Sequence, residues 1–291
     1  MLRRWQSECI DAALTKYQAK QAHFFCQATP GAGKTIMAAE LAKRLIEMDK
    51  VDLVLCFSPS LTVSKGIEST FSWKLNCPFN GGLGSVGASY TYQSIKFFDD
   101  YFWSAIKKHR LFVIFDEIHH CSGSDETSAN TWGEQVLTKL QTIAKYTLAL
   151  SGTPWRSDSV PIALATYTTC EGVLQCDYTY SLRSAVKDRV CRAPKIVLVD
   201  NEHLSVSEGS ETKSFSSILD LLKFSNMSYQ SIIHNDHAAA YLLELGCRKL
   251  EKIRKDSSNA GGLVVAASVK HAEKIQSLLI NRFGQSASIV T

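Results

Sequence analysis

Along the first half of this chain, short runs of consecutive apolar residues alternate with longer stretches whose apolar positions recur every three or four residues. The runs are His23-Phe24-Phe25-Cys26, Val51-Asp52-Leu53-Val54-Leu55-Cys56-Phe57, Leu111-Phe112-Val113-Ile114-Phe115 and Thr147-Leu148-Ala149-Leu150, and the segment 86–92 separately reads as a strand. A strand with one wet face alternates apolar and polar residues; these runs do not, so they predict strands buried on both faces. Between them, residues 4–17 carry Trp5, Cys9, Ala12 and Ala13 on one helical face. Met37, Leu41, Leu45 and Met48 make an inward stripe along the next helix. Residues 131–144 predict a further helix. Pro59 ends the second strand, and Asn80-Gly81-Gly82-Leu83-Gly84-Ser85 reads as a loop. Strands and helices in alternation predict an α/β fold, a parallel sheet with helices on both faces.

From about Ser157 the pattern loosens. Residues 194–199 read as a strand, the polar stretch 201–214 as a surface loop and residues 238–255 as a long helix. A buried strand over 261–267, a helix over 269–283 and the start of another strand over 286–290 follow. The expected organisation is a first unit over 1–158, a connector over 159–192 and an incomplete second unit over 193–291.

The 291 residues are 45% hydrophobic and 21% charged, with a formal net charge of +4. That balance permits nucleic-acid binding without arguing for it. The nine cysteines are scattered and form no Cys-x-x-Cys pair, so they read as reduced thiols of a cytoplasmic protein and not as a zinc site. No apolar run has the length of a membrane span, and no membrane partner is expected.

The most specific chemistry lies between the first strand and the second helix, in Ala28-Thr29-Pro30-Gly31-Ala32-Gly33-Lys34-Thr35. Strand, glycine-rich loop, Gly-Lys-Thr and helix together make a phosphate-binding loop. Gly31 and Gly33 let the backbone curl so that its N–H groups point at phosphate oxygens. The expected cofactor contacts are Thr29, Gly31, Ala32, Gly33, Lys34, Thr35 and Ile36. Lys34 would neutralise the terminal phosphates of ATP, and Thr35 would hold Mg²⁺ through its hydroxyl. The strict pattern places Gly where this chain has Ala28.

Asp116-Glu117-Ile118-His119 follows another apolar strand directly. An acidic pair at the carboxyl edge of a parallel strand, beside a phosphate loop, suits Mg²⁺–ATP chemistry. Asp116 is the expected Mg²⁺ ligand and Glu117 the residue that orients or deprotonates the attacking water. His119 is expected to hydrogen-bond toward the next motif, Ser151-Gly152-Thr153-Pro154, which closes a further strand. His119-His120-Cys121 also admits a metal reading, without a second ligand pair to complete it.

These three elements, in this order, resemble the superfamily 2 helicases and translocases, and most closely the DEAD/DEAH-box group that includes type III restriction subunits and phage-type helicases. The resemblance implies a P-loop NTPase with a RecA-like first lobe and part of a second. It makes Gln6, within Arg4-Trp5-Gln6, the adenine contact, with Arg4 beside it. Phe57-Ser58-Pro59-Ser60 is similar to motif Ia, and Thr91-Tyr92-Gln93-Ser94 to the segment near motifs Ib and Ic. Pro59, Ser60, Thr91, Tyr92 and Gln93 are thereby implied to grip the backbone of one nucleic-acid strand, DNA in preference to RNA. Ser151, Gly152 and Thr153 are implied to couple the two lobes. Tyr180-Ser181-Leu182-Arg183-Ser184-Ala185-Val186-Lys187-Asp188 looks like the connector, and Gly262-Leu263-Val264-Val265-Ala266-Ala267-Ser268 looks like motif IV.

Family members close the ATP site with arginines of motifs V and VI. Arg282 is the last arginine here and lies outside an Arg-x-x-Arg context. The expectation is therefore a truncated core that binds Mg²⁺–ATP, turns it over poorly alone and exposes an unpaired sheet edge prone to self-association. Two readings follow: an ATP-dependent helicase or translocase, or a nucleotide-dependent nucleic-acid clamp without motor activity. A small-molecule P-loop kinase fits less well, because it leaves the second and third motifs unexplained. Trp73, Tyr90, Tyr92, Trp103 and Trp155 can stack on bases, with core packing the preferred reading. Lys107, Lys108, His109 and Arg110 read as a solvated helix end.

Overall fold

The computed structural model describes residues 2–120, 139–153, 162, 165–168, 174–197, 204–208, 211–224 and 228–290. Contacts divide the chain into two units, Met1–Pro194 and Lys195–Thr291.

The strands of the first unit are β1 (His23–Ala28), β2 (Leu53–Ser58), β3 (Gly87–Thr91), β4 (Leu111–Phe115), β5 (Tyr146–Ser151), β6 (Thr166–Tyr167), β7 (Leu174–Gln175) and β8 (Tyr178–Tyr180). Six of them form one sheet in the order β3-β2-β4-β5-β1-β8, parallel throughout. The helices are α1 (Arg4–Gln18), α2 (Lys34–Glu47), α3 (Leu61–Leu75), α4 (Asp100–Ile106) and α5 (Leu182–Lys187), with 3₁₀ turns at Tyr92–Phe97 and Ile118–His120.

The strand centres are mostly apolar because alternate residues feed two separate cores. Phe24, Cys26, Val54, Cys56, Phe112, Ile114, Leu148 and Leu150 meet α1, α2 and α3 on one face. Phe25, Leu55, Phe57, Val113, Phe115 and Ala149 meet Ile95, Trp103, Ile106 and Leu140 on the other. Phe57, Phe112 and Phe115 are fully buried, each a gain of roughly 1.5–3 kcal/mol over exposure. The P-loop NTPase fold of RecA-like type expected from the motif order is present here. The strand ending in Ser151 lies between the strand that feeds the glycine loop and the strand that ends in the acidic pair.

Parallel pairing delivers every motif to the same edge of the sheet. Gln27 sits opposite Ser151, Phe115 opposite Ala149, Phe57 opposite Phe115 and Ser58 opposite Thr91. Ligand sites of open α/β sheets form at this carboxyl edge. The stretch expected as a connector is built into this unit. Tyr178–Tyr180 is the strand beside β1, and Ala185 of α5 is buried in the α1 core.

In the second unit β9 (Leu204–Glu208) and β10 (Glu211–Phe215) pair as an antiparallel hairpin. This corrects the loop expected over 201–214 at residues 204–208 and 211–214, the remainder lying outside the described residues: Ser and Thr alternate with Val, Lys and Leu at a strand period that overall polarity masked. Helices α6 (Ile218–Phe224), α7 (Tyr229–Ile233), α8 (Asp236–Arg254) and α9 (Val269–Asn281) follow. Asn235 caps α8 through bonds to the N–H groups of His237 and Ala238, and Ser268 caps α9 at His271.

The strands expected over 261–267 and 286–290 do not form, and residues 194–197 of the one expected over 194–199 are likewise unpaired; 198 and 199 lie outside the described residues. Leu263 and Val265 are 88% and 86% exposed. A parallel strand exists only through partners on its edges, and none is present among the described residues. The helix expected over 131–144 is seen only at 139–143, its earlier part lying outside the described residues. Among the described residues no helix is long and apolar enough to cross a membrane.

Candidate functional site

The glycine loop runs from β1 into α2, and the first turn of α1 braces it. Gly31 and Gly33 have φ of 77° and 95°, the left-handed region that L side chains avoid. Gly33 is fixed by space as well: a Cβ there would lie 2.9 Å from Gln6 Nε2 and 3.3 Å from Arg3 Nη1. Buried Gln6 donates to the Gly33 carbonyl at 2.9 Å, and its Oε1 accepts from the Arg3 N–H at 2.8 Å. The Arg3 guanidinium donates to the Ala32 carbonyl. Thr29 and Ala32 are buried in the loop, and the Thr29 N–H donates to Tyr180 O at 3.1 Å. Thr35 is half-buried and Ile36 exposed in the opening turn of α2, where backbone N–H groups lack helical acceptors and suit an anion.

Lys34 is buried, and its ammonium lies 2.9 Å from Glu117 Oε1 and 3.3 Å from the Ala28 carbonyl. Glu117 has φ of 49°, an uncommon conformation for a residue with a Cβ. Its second oxygen accepts from the Gly152 N–H at 3.2 Å and lies 3.5 Å from His119 Nδ1. Burial raises the Glu117 pKa, but hydrogen bonding and charge from Lys34, the Gly152 N–H and His119 outweigh it and hold the carboxyl below its usual range. His119 bridges onward, with Nδ1 2.9 Å from Ser151 Oγ and Nε2 3.4 Å from Thr153 Oγ1. At Gly152 a Cβ would lie 2.9 Å from Pro30 and 3.2 Å from Lys34 Nζ, so glycine is what lets β5 approach the loop.

Asp116 is buried, and its Oδ1 has no hydrogen-bond partner. Burial first, then the charge of Glu117, pushes its pKa up to about 6 against the pull of Lys34. A bare buried carboxylate oxygen is costly, and with Lys34 of the phosphate loop close enough to act on its charge its chemistry fits a hard divalent cation.

On the neighbouring strands, half-buried Pro59 precedes exposed Ser60, whose Oγ accepts from Val63 N at 3.3 Å and caps α3. Buried Thr91 bonds Ser94 Oγ at 2.8 Å, half-buried Tyr92 donates to the Asp116 carbonyl at 2.8 Å, and Gln93 is exposed.

The structure thus brings together Lys34, Asp116, Glu117, His119, Ser151, Gly152 and Thr153, with Gln6 behind the loop. Arg4 stands apart: its guanidinium pairs with Glu8 at 2.7 Å on the helix surface. Arg3, one residue earlier, reaches the loop, and only the phase of α1 separates the two. Tyr90 and Trp103 pack with Phe57, Phe98 and Phe102 in the core, whereas Trp73 is 70% exposed. Trp155, Pro154 and Cys121 lie outside the described residues. Arg110, from the basic run, is held by Asp49 and Asp52.

Two kinds of relative bear on identity. The chain is 26% identical over 304 residues to an uncharacterized protein of Mycobacterium leprae (strain TN), covering 99% of this chain and 49% of that protein. The same figures hold for an uncharacterized protein of Mycobacterium tuberculosis (strain H37Rv), so the chain spans about half the length of the curated relatives it matches. Among solved structures it is similar to the Sulfolobus solfataricus SWI2/SNF2 ATPase core in complex with dsDNA, at 19% identity and a TM-score of 0.43, covering 53% of this chain and 32% of that one. It is also similar to the ATP-dependent Type ISP restriction-modification enzyme LlaBIII bound to DNA, at 15% identity and a TM-score of 0.46, covering 65% and 15%. Scores of this size carry nothing forward. The family profile described as "Type III restriction enzyme, res subunit" matches residues 1–156. Matched from its first residue past the Ser151-Gly152-Thr153 turn, over more than half of its 291 residues, the chain belongs to the type III restriction enzyme res subunit family.

Proposed function

We propose that this chain carries the ATP-binding lobe of a superfamily 2 helicase or translocase that couples ATP hydrolysis to movement on DNA. The observation that carries the reading is the Lys34–Glu117 ion pair at the glycine loop, with the buried Oδ1 of the adjacent Asp116 left without a hydrogen-bond partner. Lys34 pairs with Glu117 and neutralises it. An incoming triphosphate competes for Lys34, and Glu117 then loses the charge that holds its pKa down and becomes a stronger base toward water. Asp116 and Thr35 would hold Mg²⁺, which supplies charge neutralisation on the phosphate oxygens when bound. Gln6 keeps one amide N–H and one lone pair beyond its bonds to Gly33 and Arg3, and is assigned to the adenine. Thr29, Gly31, Ala32, Gly33 and Ile36 complete the phosphate cradle. Pro59, Ser60, Thr91, Tyr92 and Gln93 are assigned to one strand of nucleic acid, and His119 with Ser151, Gly152 and Thr153 to coupling. DNA is proposed over RNA because the family is named for a restriction enzyme subunit.

The test is ATP turnover with and without single-stranded and duplex DNA or RNA. Nucleic-acid-stimulated turnover is expected, with DNA the better activator. Glu117→Gln should lower it by about 10²–10⁴-fold, the usual worth of a general base, while nucleotide binding persists. Nucleotide-dependent DNA binding without turnover would replace the motor by a clamp, and absence of Mg²⁺-dependent ATP binding would sink both.

A further inference from the structure

We propose that Tyr92 is the positioning residue through which an occupied nucleic-acid strand acts on the acidic pair, its phenol latching the peptide that joins Asp116 to Glu117. The inference rests on the reading above that residues 91–93 touch the strand. Tyr92 opens the 3₁₀ turn after β3, and its hydroxyl donates to the Asp116 carbonyl at 2.8 Å, across 24 residues of sequence. On the other side of the same residue, the Asp116 N–H donates to Phe57 O at 2.8 Å. Two neighbouring elements thus hold both backbone groups of Asp116.

The consequence falls on Glu117. The orientation of the Asp116–Glu117 peptide sets φ of Glu117, which stands at 49°, and that value aims the carboxylate at Lys34 and Gly152. A left-handed φ at a residue with a Cβ costs on the order of 1–2 kcal/mol and persists only where neighbours impose it. The Tyr92 hydrogen bond is such an imposition. The turn that carries it is open to solvent at Gln93 and tied to β3 through the Thr91–Ser94 hydroxyl pair. Engagement of a strand at the exposed side of this turn is the event that shifts the phenol and, with it, the peptide that sets Glu117. Because coupling is reciprocal, nucleotide at Lys34 must change strand affinity by the same factor.

The experiment measures the dissociation constant of a single-stranded oligonucleotide with and without a saturating non-hydrolysable Mg²⁺–ATP analogue. Wild type is expected to show a ratio of at least about fivefold, the lower end of ordinary couplings. Tyr92→Phe keeps the ring that packs against the second core and deletes only the hydroxyl, and its ratio is expected to fall toward one. A Tyr92→Phe ratio equal to wild type overturns the latch. So does a wild-type ratio of one with both ligands bound, which leaves the functional reading standing. Failure to bind either ligand overturns that reading and the latch with it.

Discussion

Lys34→Ala is expected to lower ATP turnover by at least about 10²–10³-fold, the usual loss when one preorganised charge on a transferring group is removed. The ammonium is buried between the loop and β4, so no solvent cation takes its place cheaply, and it is the only cation within ion-pair distance of Glu117 among the described residues apart from the ring of His119. The substitution carries a second effect that runs through stability. Without Lys34, Glu117 keeps only the Gly152 N–H and His119 against burial, and both carboxyl groups move toward protonation. Breaking a buried pair costs roughly 3–5 kcal/mol; with the Glu117 side chain 26% exposed, about 1–3 kcal/mol is the fitting expectation. Lys34→Ala combined with Glu117→Gln should recover that stability and none of the turnover. Thermal melts and turnover on the single and double variants separate the two effects. Wild-type turnover in Lys34→Ala would remove the phosphate-binding role altogether.

The second large effect concerns pH. The Asp116 carboxyl, raised from 3.8 to about 6 in the fold, holds its proton more tightly folded than unfolded. Its contribution to stability is therefore complete below pH ~4 and is lost as pH rises through about 6. Two pKa units correspond to about 3 kcal/mol. Asp116→Asn is thus expected to stabilise the metal-free protein by about that amount at pH 8 and to change little at pH 4. Glu117, held low, has the opposite sign: it stabilises above its unfolded pKa and loses that contribution as pH falls. The comparison with Asn isolates Asp116. Added magnesium chloride should raise the melting temperature of wild type at pH 8 and leave Asp116→Asn unmoved, since a neutral amide offers no charge to a hard cation. A magnesium response of equal size in both proteins would remove Asp116 from the metal site.

The first unit is legible in sequence because local and global signals coincide. A strand buried on both faces is apolar through its centre, and β2, β4 and β5 are, with Ser58 and Ser151 at the carboxyl ends and buried Thr147 near the start of β5. A loop that wraps phosphate needs glycine where φ turns positive, and Gly31 and Gly33 stand there. Arg4 illustrates the limit. The segment marked the right turn of α1, but the residue that reaches the loop is Arg3, a difference of one helical position that only packing against the loop decides. In the second unit the apolar run at 261–267 reads as a strand by composition, and no strand forms, because ladder hydrogen bonds need a neighbour that periodicity cannot supply.

What the sequence by itself determined is therefore the kind of fold and the cast of residues at the carboxyl edge of its sheet. What only the tertiary structure decided is who meets whom. Lys34 pairs with Glu117, Gly152 makes room for Lys34, His119 reaches Ser151 and Tyr92 reaches the Asp116 carbonyl. These contacts join segments tens of residues apart, and their partners are set by strand order and register. Strand order is a property of how whole elements bury their faces together, so no local pattern encodes it.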